Sequence, residues 1–257
     1  MKKTFMLLMA MVMVVMMAAG CGGGEKKAAE APKVLRVGTE PTFAPFEFQK
    51  DGSKEFDGFD MDLIRAIGKQ LNMKVEILNM GFDALIPALN AGNIDVAAAG
   101  MSITPDRQKA VDMSDPYYVA GLVVVVNKDN MAVKGINELN NKAIAVQIGT
   151  TGAERAAKVP GAKVKNFNTN AEVFLELKNK GVEAVIIDKP VAEYFLATGG
   201  GKDYAKIVGD TMEAESYGLS LKKNSPLTKE INKALLDLKK NGEYDKIYAK
   251  WFGAVKK

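Results

Sequence analysis

Short extended runs alternate with helical spacing along most of the chain. Residues 35–37 read as a strand closed by Gly38, residues 74–78 as a second, and the apolar run 94–99, between Asn93 and Gly100, as a third. Between them Ile64, Ile67 and Leu71 have helical spacing in a helix over 61–71, for which Asp60 offers a cap. Leu85, Ile86 and Leu89 face inward on a helix that starts at Asp83 and ends at Gly92; Pro87 fits only close to its start. After the apolar run 122–126 the grammar repeats, with strands over 142–146 and 182–187. Thr169-Asn170-Ala171-Glu172 has the form of a capping box before a helix carrying Val173, Phe174 and Leu177 and closed by Gly181. A helix with Val191, Tyr194 and Phe195 follows Asp188-Lys189-Pro190. A strand over 217–221 precedes a helix opened by Ser225-Pro226, with Leu227, Ile231, Leu235 and Leu238 on one face and Gly242 as its stop. Tyr244, Ile247, Tyr248 and Trp251 on a last short helix read as core packing rather than a binding platform. The two halves share this order of elements without a sequence repeat.

Strand, helix and strand in close succession imply a parallel sheet covered on both faces, and a ligand site at the carboxyl ends of its strands. The loops 40–46, 80–82 and 100–107 all emerge there, as does the turn Gly149-Thr150-Thr151-Gly152 in the second half. In the stretch Gly100-Met101-Ser102-Ile103-Thr104-Pro105-Asp106-Arg107, Thr104 is an N-cap and Pro105 occupies the first helical position. Arg107 then puts a cation in a first turn that favours an anion. An anionic ligand would resolve that conflict, and the guanidinium fork suits a carboxylate. A capped surface helix with a solvated arginine is the alternative.

The first twenty residues stand apart. Lys2 and Lys3 precede an unbroken apolar run over 5–19, too short for a comfortable membrane span and fitting a signal peptide over 1–20. Ala18-Ala19-Gly20-Cys21 resembles the lipobox of bacterial lipoproteins, so Cys21, the only cysteine, is the expected site of lipidation, palmitate included. Residues 21–33 are then the lipidated cysteine and a flexible tether, rich in Gly, Ala, Lys and Glu. Charges are interspersed, with a formal net charge of +4, so no nucleic-acid footprint is expected. Histidine is absent, which excludes a Ser-His-Asp or Cys-His catalytic set and any histidine-ligated metal.

Six motifs then occur in order: Thr39-Glu40-Pro41-Thr42-Phe43-Ala44-Pro45-Phe46-Glu47-Phe48, Gly58-Phe59-Asp60-Met61-Asp62-Leu63, Ala84-Leu85-Ile86-Pro87-Ala88-Leu89, Ser102-Ile103-Thr104-Pro105-Asp106-Arg107, Ser114-Asp115-Pro116-Tyr117-Tyr118 and Asn241-Gly242-Glu243-Tyr244. Together they resemble the bacterial extracellular solute-binding proteins of family 3, the polar amino-acid-binding lipoproteins of ABC transporters. Met113 stands where the family usually has Phe. The resemblance implies a two-lobed α/β periplasmic-binding-protein fold of type II, each lobe a mostly parallel sheet flanked by helices. Residues 33–118 with 218–257 would form the first lobe and 119–217 the second, with crossings near 118–123 and 215–219. It implies that Arg107 clamps the ligand carboxylate with donors from Ser102 and Thr151. Asp188 and the Gly100 carbonyl would hold the ammonium, Phe43 and Phe82 would be aromatic walls, and Glu40 and Gln147 would reach the ligand side chain. The expected ligand is a free polar amino acid, either basic (arginine, lysine or ornithine) or glutamine, delivered to a membrane permease by an exported, lipid-anchored monomer without cofactor. An enzyme on the same scaffold, such as a cyclohexadienyl dehydratase, is the competing expectation; Glu40 is the obvious candidate for its acid. A lytic transglycosylase would need a further domain, for which the length leaves no room.

Overall fold

The computed structural model describes residues 33–50, 52–198 and 200–253; the expected signal peptide and Cys21 lie outside them. The described residues open with β1 (Lys33–Thr39), and residue 33, expected at the end of the tether, is its first residue. A small antiparallel sheet follows, built from β2 (Thr42–Phe43), β3 (Glu47–Gln49) and β4 (Phe56–Asp57). Next come α1 (Phe59–Gln70), β5 (Met73–Asn79), α2 (Leu85–Ala91), β6 (Val96–Ala97), α3 (Pro105–Ala110) and β7 (Val111–Met113). The central part holds β8 (Tyr118–Asn127), β9 (Ala143–Gln147), α4 (Thr151–Ala157), β10 (Lys163–Phe167), α5 (Asn170–Lys178), β11 (Ala184–Asp188), α6 (Lys189–Thr198), β12 (Ala205–Val208) and β13 (Ala214–Tyr217). The last part is β14 (Ser220–Lys222), α7 (Leu227–Lys240) and α8 (Glu243–Phe252).

Two larger sheets make two lobes. The first has the order β5-β1-β6-β14-β7, with β1 parallel to β5 and β6, and β14 opposed to both of its neighbours. The second has the order β10-β9-β11-β8-β12 and repeats the scheme, with β8 opposed to β11 and β12. Strands covered on both faces read as continuous apolar runs, and Leu122, Val123, Val124, Val125 and Val126 of β8 are all buried. Two strands pass between the lobes. β8 pairs with β13 from Gly121↔Ala214 to Tyr118↔Tyr217, and this antiparallel ribbon is the connection about which one lobe meets the other.

Local rules place the helices. Thr104 accepts from the Arg107 N–H at the start of α3, and Thr169 and Glu172 form a reciprocal capping box at α5. Pro87 sits in the first turn of α2, where its lack of an N–H breaks no helical bond. Gly68 allows α1 to lie against β5, since a Cβ there would come within 2.4 Å of Val75 Cγ2. The third expected strand is shorter than 94–99: only Val96 and Ala97 have ladder partners on both sides, in β1 and β14.

Asp60 does not cap α1. The helix starts one residue before it at Phe59, with Gly58 as N-cap, and Asp60 is fully buried. Its Oδ2 accepts from the Gly100 N–H at 2.9 Å and the Tyr117 hydroxyl at 2.6 Å, both distant in sequence.

Aromatic rings brace the ribbon between the lobes. The Phe46 ring lies 4.9 Å from Tyr118, 5.2 Å from Tyr217 and 5.3 Å from Phe252, centroid to centroid, so it touches β8, β13 and α8 at once. Among the described residues no helix is long and apolar enough to cross a membrane. Phe46→Ala is expected to cost about 3–5 kcal/mol in urea unfolding, the usual loss for a fully buried ring; a loss below about 1 kcal/mol would show that the ring does not brace the ribbon.

Candidate functional site

The carboxyl ends of the strands converge between the lobes. Glu40 directly follows β1, Gly100 and Ser102 follow β6, Gln147 ends β9 and Asp188 ends β11. They line one pocket together with Phe43, Phe82, Arg107 and Thr151. All nine candidate residues therefore meet at one pocket. Glu47, Ala99 and Thr150 line it as well.

Arg107 is the cation among these lining residues, and it is held rather than free. Its side chain donates from Nη1 to the Ser102 carbonyl at 2.8 Å and, across the lobes, from Nη2 to the Gly149 carbonyl at 3.0 Å. The guanidinium also lies 5.3 Å from the centre of the Phe82 ring, so Phe82 supports the cation besides walling the pocket. Burial lowers the Arg107 pKa, against the raising influence of Glu154, Glu215 and Asp188.

Carboxyls outnumber that cation. Glu40 is 4% exposed, Glu47 1% and Asp188 8%. Asp188 accepts from the Tyr217 hydroxyl at 2.5 Å; burial pushes it up to about 7, against the pull of that hydrogen bond. Glu40 Oε2 accepts from the Thr42 hydroxyl at 2.7 Å and from Gln147 Nε2 at 2.8 Å, and its pKa is raised by burial. Glu47 Oε2 is buried with no hydrogen-bond partner among the described residues. Burial first, then the carboxyls of Asp60, Glu40 and Asp188, raise Glu47 well above the ordinary carboxylate range.

Four of the candidates are constrained by the protein itself. The Gln147 amide donates to both Glu40 and the Asn168 carbonyl, which uses both of its N–H bonds, and its oxygen accepts from Asn170 Nδ2. Ser102 Oγ and Thr151 Oγ1 both donate to Glu215 Oε2, at 2.6 and 2.7 Å. Gly100 contributes shape: its φ of +52° is left-handed, and a Cβ would fall 2.5 Å from Phe43 Cε1, so glycine lets the aromatic wall close on the loop.

Glu47 was legible in principle. It pairs with Phe43 across the β2–β3 hairpin, and directly opposed residues on antiparallel strands share a face. An acid opposite an aromatic wall residue therefore faces the same cavity. Glu215, Asn170 and Tyr217 carried no comparable local signal, because each meets the site from a distant element. Among the described residues no group of three or more His, Cys, Asp or Glu side chains is arranged to hold a metal ion.

A pocket between two lobes, with one buried guanidinium facing several buried carboxyls, defines a binding protein for a small charged solute. The chain belongs to the bacterial extracellular solute-binding proteins, family 3, whose family model matches residues 35–254. It is 34% identical over 229 residues to a probable histidine-binding protein of Neisseria gonorrhoeae, covering 88% of this chain and 85% of the relative. It is 33% identical over 227 residues to the arginine-binding extracellular protein ArtP of Bacillus subtilis (strain 168), covering 87% and 88%. Among solved structures, an ancestral arginine-binding protein bound to arginine has a TM-score of 0.83 and 47% identity, and the form bound to glutamine 0.80 and 46%; each covers 87% of this chain and 100% of the other.

Asp60 and Asp188 are both raised to about 7, so between about pH 4 and pH 7 the folded protein holds protons that the unfolded chain has lost. Without ligand, the stability these two groups contribute is therefore full below about pH 4 and is lost as pH rises through 7. Each group contributes on the order of 4 kcal/mol over that window. Because one oxygen of Asp60 accepts both of its bonds, Asp60→Asn can keep them while removing the titration. Urea unfolding across this range should give a shallower fall for the variant; an unchanged profile would contradict the assignment.

Proposed function

We propose that the protein is the substrate-binding component of an ABC uptake system and that its ligand is an amino acid with a cationic side chain, arginine before lysine. The observation that carries this reading is Glu47, a carboxyl buried in the cavity wall without a hydrogen-bond partner and beside Glu40. An unpaired buried carboxylate is costly, and a guanidinium offers it paired N–H donors as well as charge. Arg107 takes the ligand carboxylate and Asp188 its ammonium, which balances the zwitterion and leaves Glu40 and Glu47 for the side chain. Gln147 and Thr42 hold Glu40 in place from the two lobes. Four or five bonds to charged groups at roughly 1.5–3 kcal/mol each suffice for the roughly 8 kcal/mol of micromolar binding after ordering costs. No step of catalysis is required, and the relatives are named as binding proteins rather than enzymes.

A ligand that touches both lobes stabilises their approach. The lobes that move are 33–118 with 218–257 and 119–217, joined by the β8–β13 ribbon. The protein is exported, loses residues 1–20, and is held at the membrane by lipid on Cys21 with the following residues as tether. There it acts as a monomer that passes its ligand to the permease.

Calorimetric titration with arginine, lysine and glutamine tests the ligand class. Arginine should bind most tightly. Glu47→Gln should weaken arginine by about 2 kcal/mol or more, the scale for losing one side of a buried charged pair, while changing glutamine far less. Wild-type protein preferring glutamine, or a variant that loses both ligands equally, would overturn the cationic assignment.

A further inference from the structure

Glu215 is the one acid of the β8–β13 ribbon that reaches both lobes. It lies on β13, and its Oε2 accepts from Ser102 Oγ at 2.6 Å, in the loop after β6, and from Thr151 Oγ1 at 2.7 Å, at the start of α4. Backbone pairing fixes it there: Glu215 lies opposite Ala120 on β8, and the Ile103 N–H donates to the neighbouring Ser216 carbonyl at 2.7 Å. Glu215 is also among the acids that raise the Arg107 pKa against burial, so its charge is felt at the guanidinium.

A hydroxyl carries one proton, and an ionised carboxylate only accepts. While Ser102 and Thr151 donate to Glu215, neither can donate to a second carboxylate. We propose that Glu215 is an internal stand-in for the ligand carboxylate: it competes for the same two hydroxyl protons beside Arg107 and latches the lobes together through them. The inference rests on the reading of the cleft as an amino-acid site. A ligand carboxylate must draw those protons away from Glu215 and settle near a like charge, so Glu215 lowers the affinity for molecules that carry a carboxylate. A cationic amine of the same shape without a carboxylate escapes the competition. The latch thereby sets how readily an amino acid is released, without touching the pocket for its side chain.

The test is calorimetric titration of wild-type protein, Glu215→Ala and Glu215→Gln with arginine, and with agmatine, its decarboxylated counterpart, as a competitor at up to millimolar concentration. Cooperative unfolding of each variant checks that it is folded, and β13 keeps its backbone pairing in both. Glu215→Ala should bind arginine about tenfold more tightly, which corresponds to about 1.4 kcal/mol. Glu215→Gln, which keeps an acceptor but loses the charge, should fall between it and wild type. Agmatine should be unchanged, or undetected with all three proteins, whereas a merely structural role for Glu215 would move both ligands together. Arginine bound equally or more weakly by the variants, or agmatine tightened as much as arginine, overturns the inference while leaving the ligand reading intact. A wild-type protein that binds no arginine overturns that reading, and the inference with it.

Discussion

A carboxyl group taken out of water has to meet a cation, gather hydrogen-bond donors or keep its proton, and the cleft between the lobes uses all three solutions. Asp60 gathers the Gly100 N–H and the Tyr117 hydroxyl, Asp188 takes the Tyr217 hydroxyl, and Glu40 is held by Thr42 and Gln147. Glu47 has none of these partners. Arg107, the cation of the cavity wall, cannot neutralise Glu40, Glu47 and Asp188 together. The surplus of buried acid over buried base is the constraint on which the proposal of a cationic ligand rests.

The frame that holds this surplus is rigid where it must be and divided where it must move. Each sheet presents the carboxyl ends of its parallel strands to the other, so Glu40, Gln147 and Asp188 face the cavity by topology rather than by long loops. Phe46 and Phe252 of the first lobe pack on Tyr118 of the ribbon, and Phe46 also on its Tyr217, which fixes where the ribbon leaves that lobe. Polar contacts cross the cleft, from Arg107 to Gly149, Gln147 to Glu40 and the Asn170 N–H to Thr42 Oγ1, beside a ring pair, Phe48 and Tyr194 at 6.4 Å. The polar bonds among them can be exchanged for water at modest net cost.

Local chemistry was the readable part of the sequence. Thr104 with Pro105, and Thr169 with Glu172, announce helix starts through bonds that span three residues, and the structure contains both. Residues at strand ends were readable for the same reason, since the run of buried positions stops there. What could not be read depends on distant pairing. Asp60 has the position of a cap, yet its partners Gly100 and Tyr117 lie 40 and 57 residues away. Gln147 sits at a strand end, and the bonds of its amide to Glu40 and Asn170 come from elements distant in sequence. Glu47 needed the register of a two-residue hairpin strand, which becomes visible only once Phe43 is known to pair with it.

The unbalanced charge is most directly measured as proton release. Arginine binding should drive ionisation of carboxyls that burial keeps protonated, so titrations at about pH 6 in buffers of different ionisation enthalpy should report on the order of one proton released per arginine bound, because Asp188 at about 7 is then largely protonated. Heats that do not depend on the buffer, or proton uptake on binding, would contradict the claim that the buried acids of the cleft are the ligand's partners.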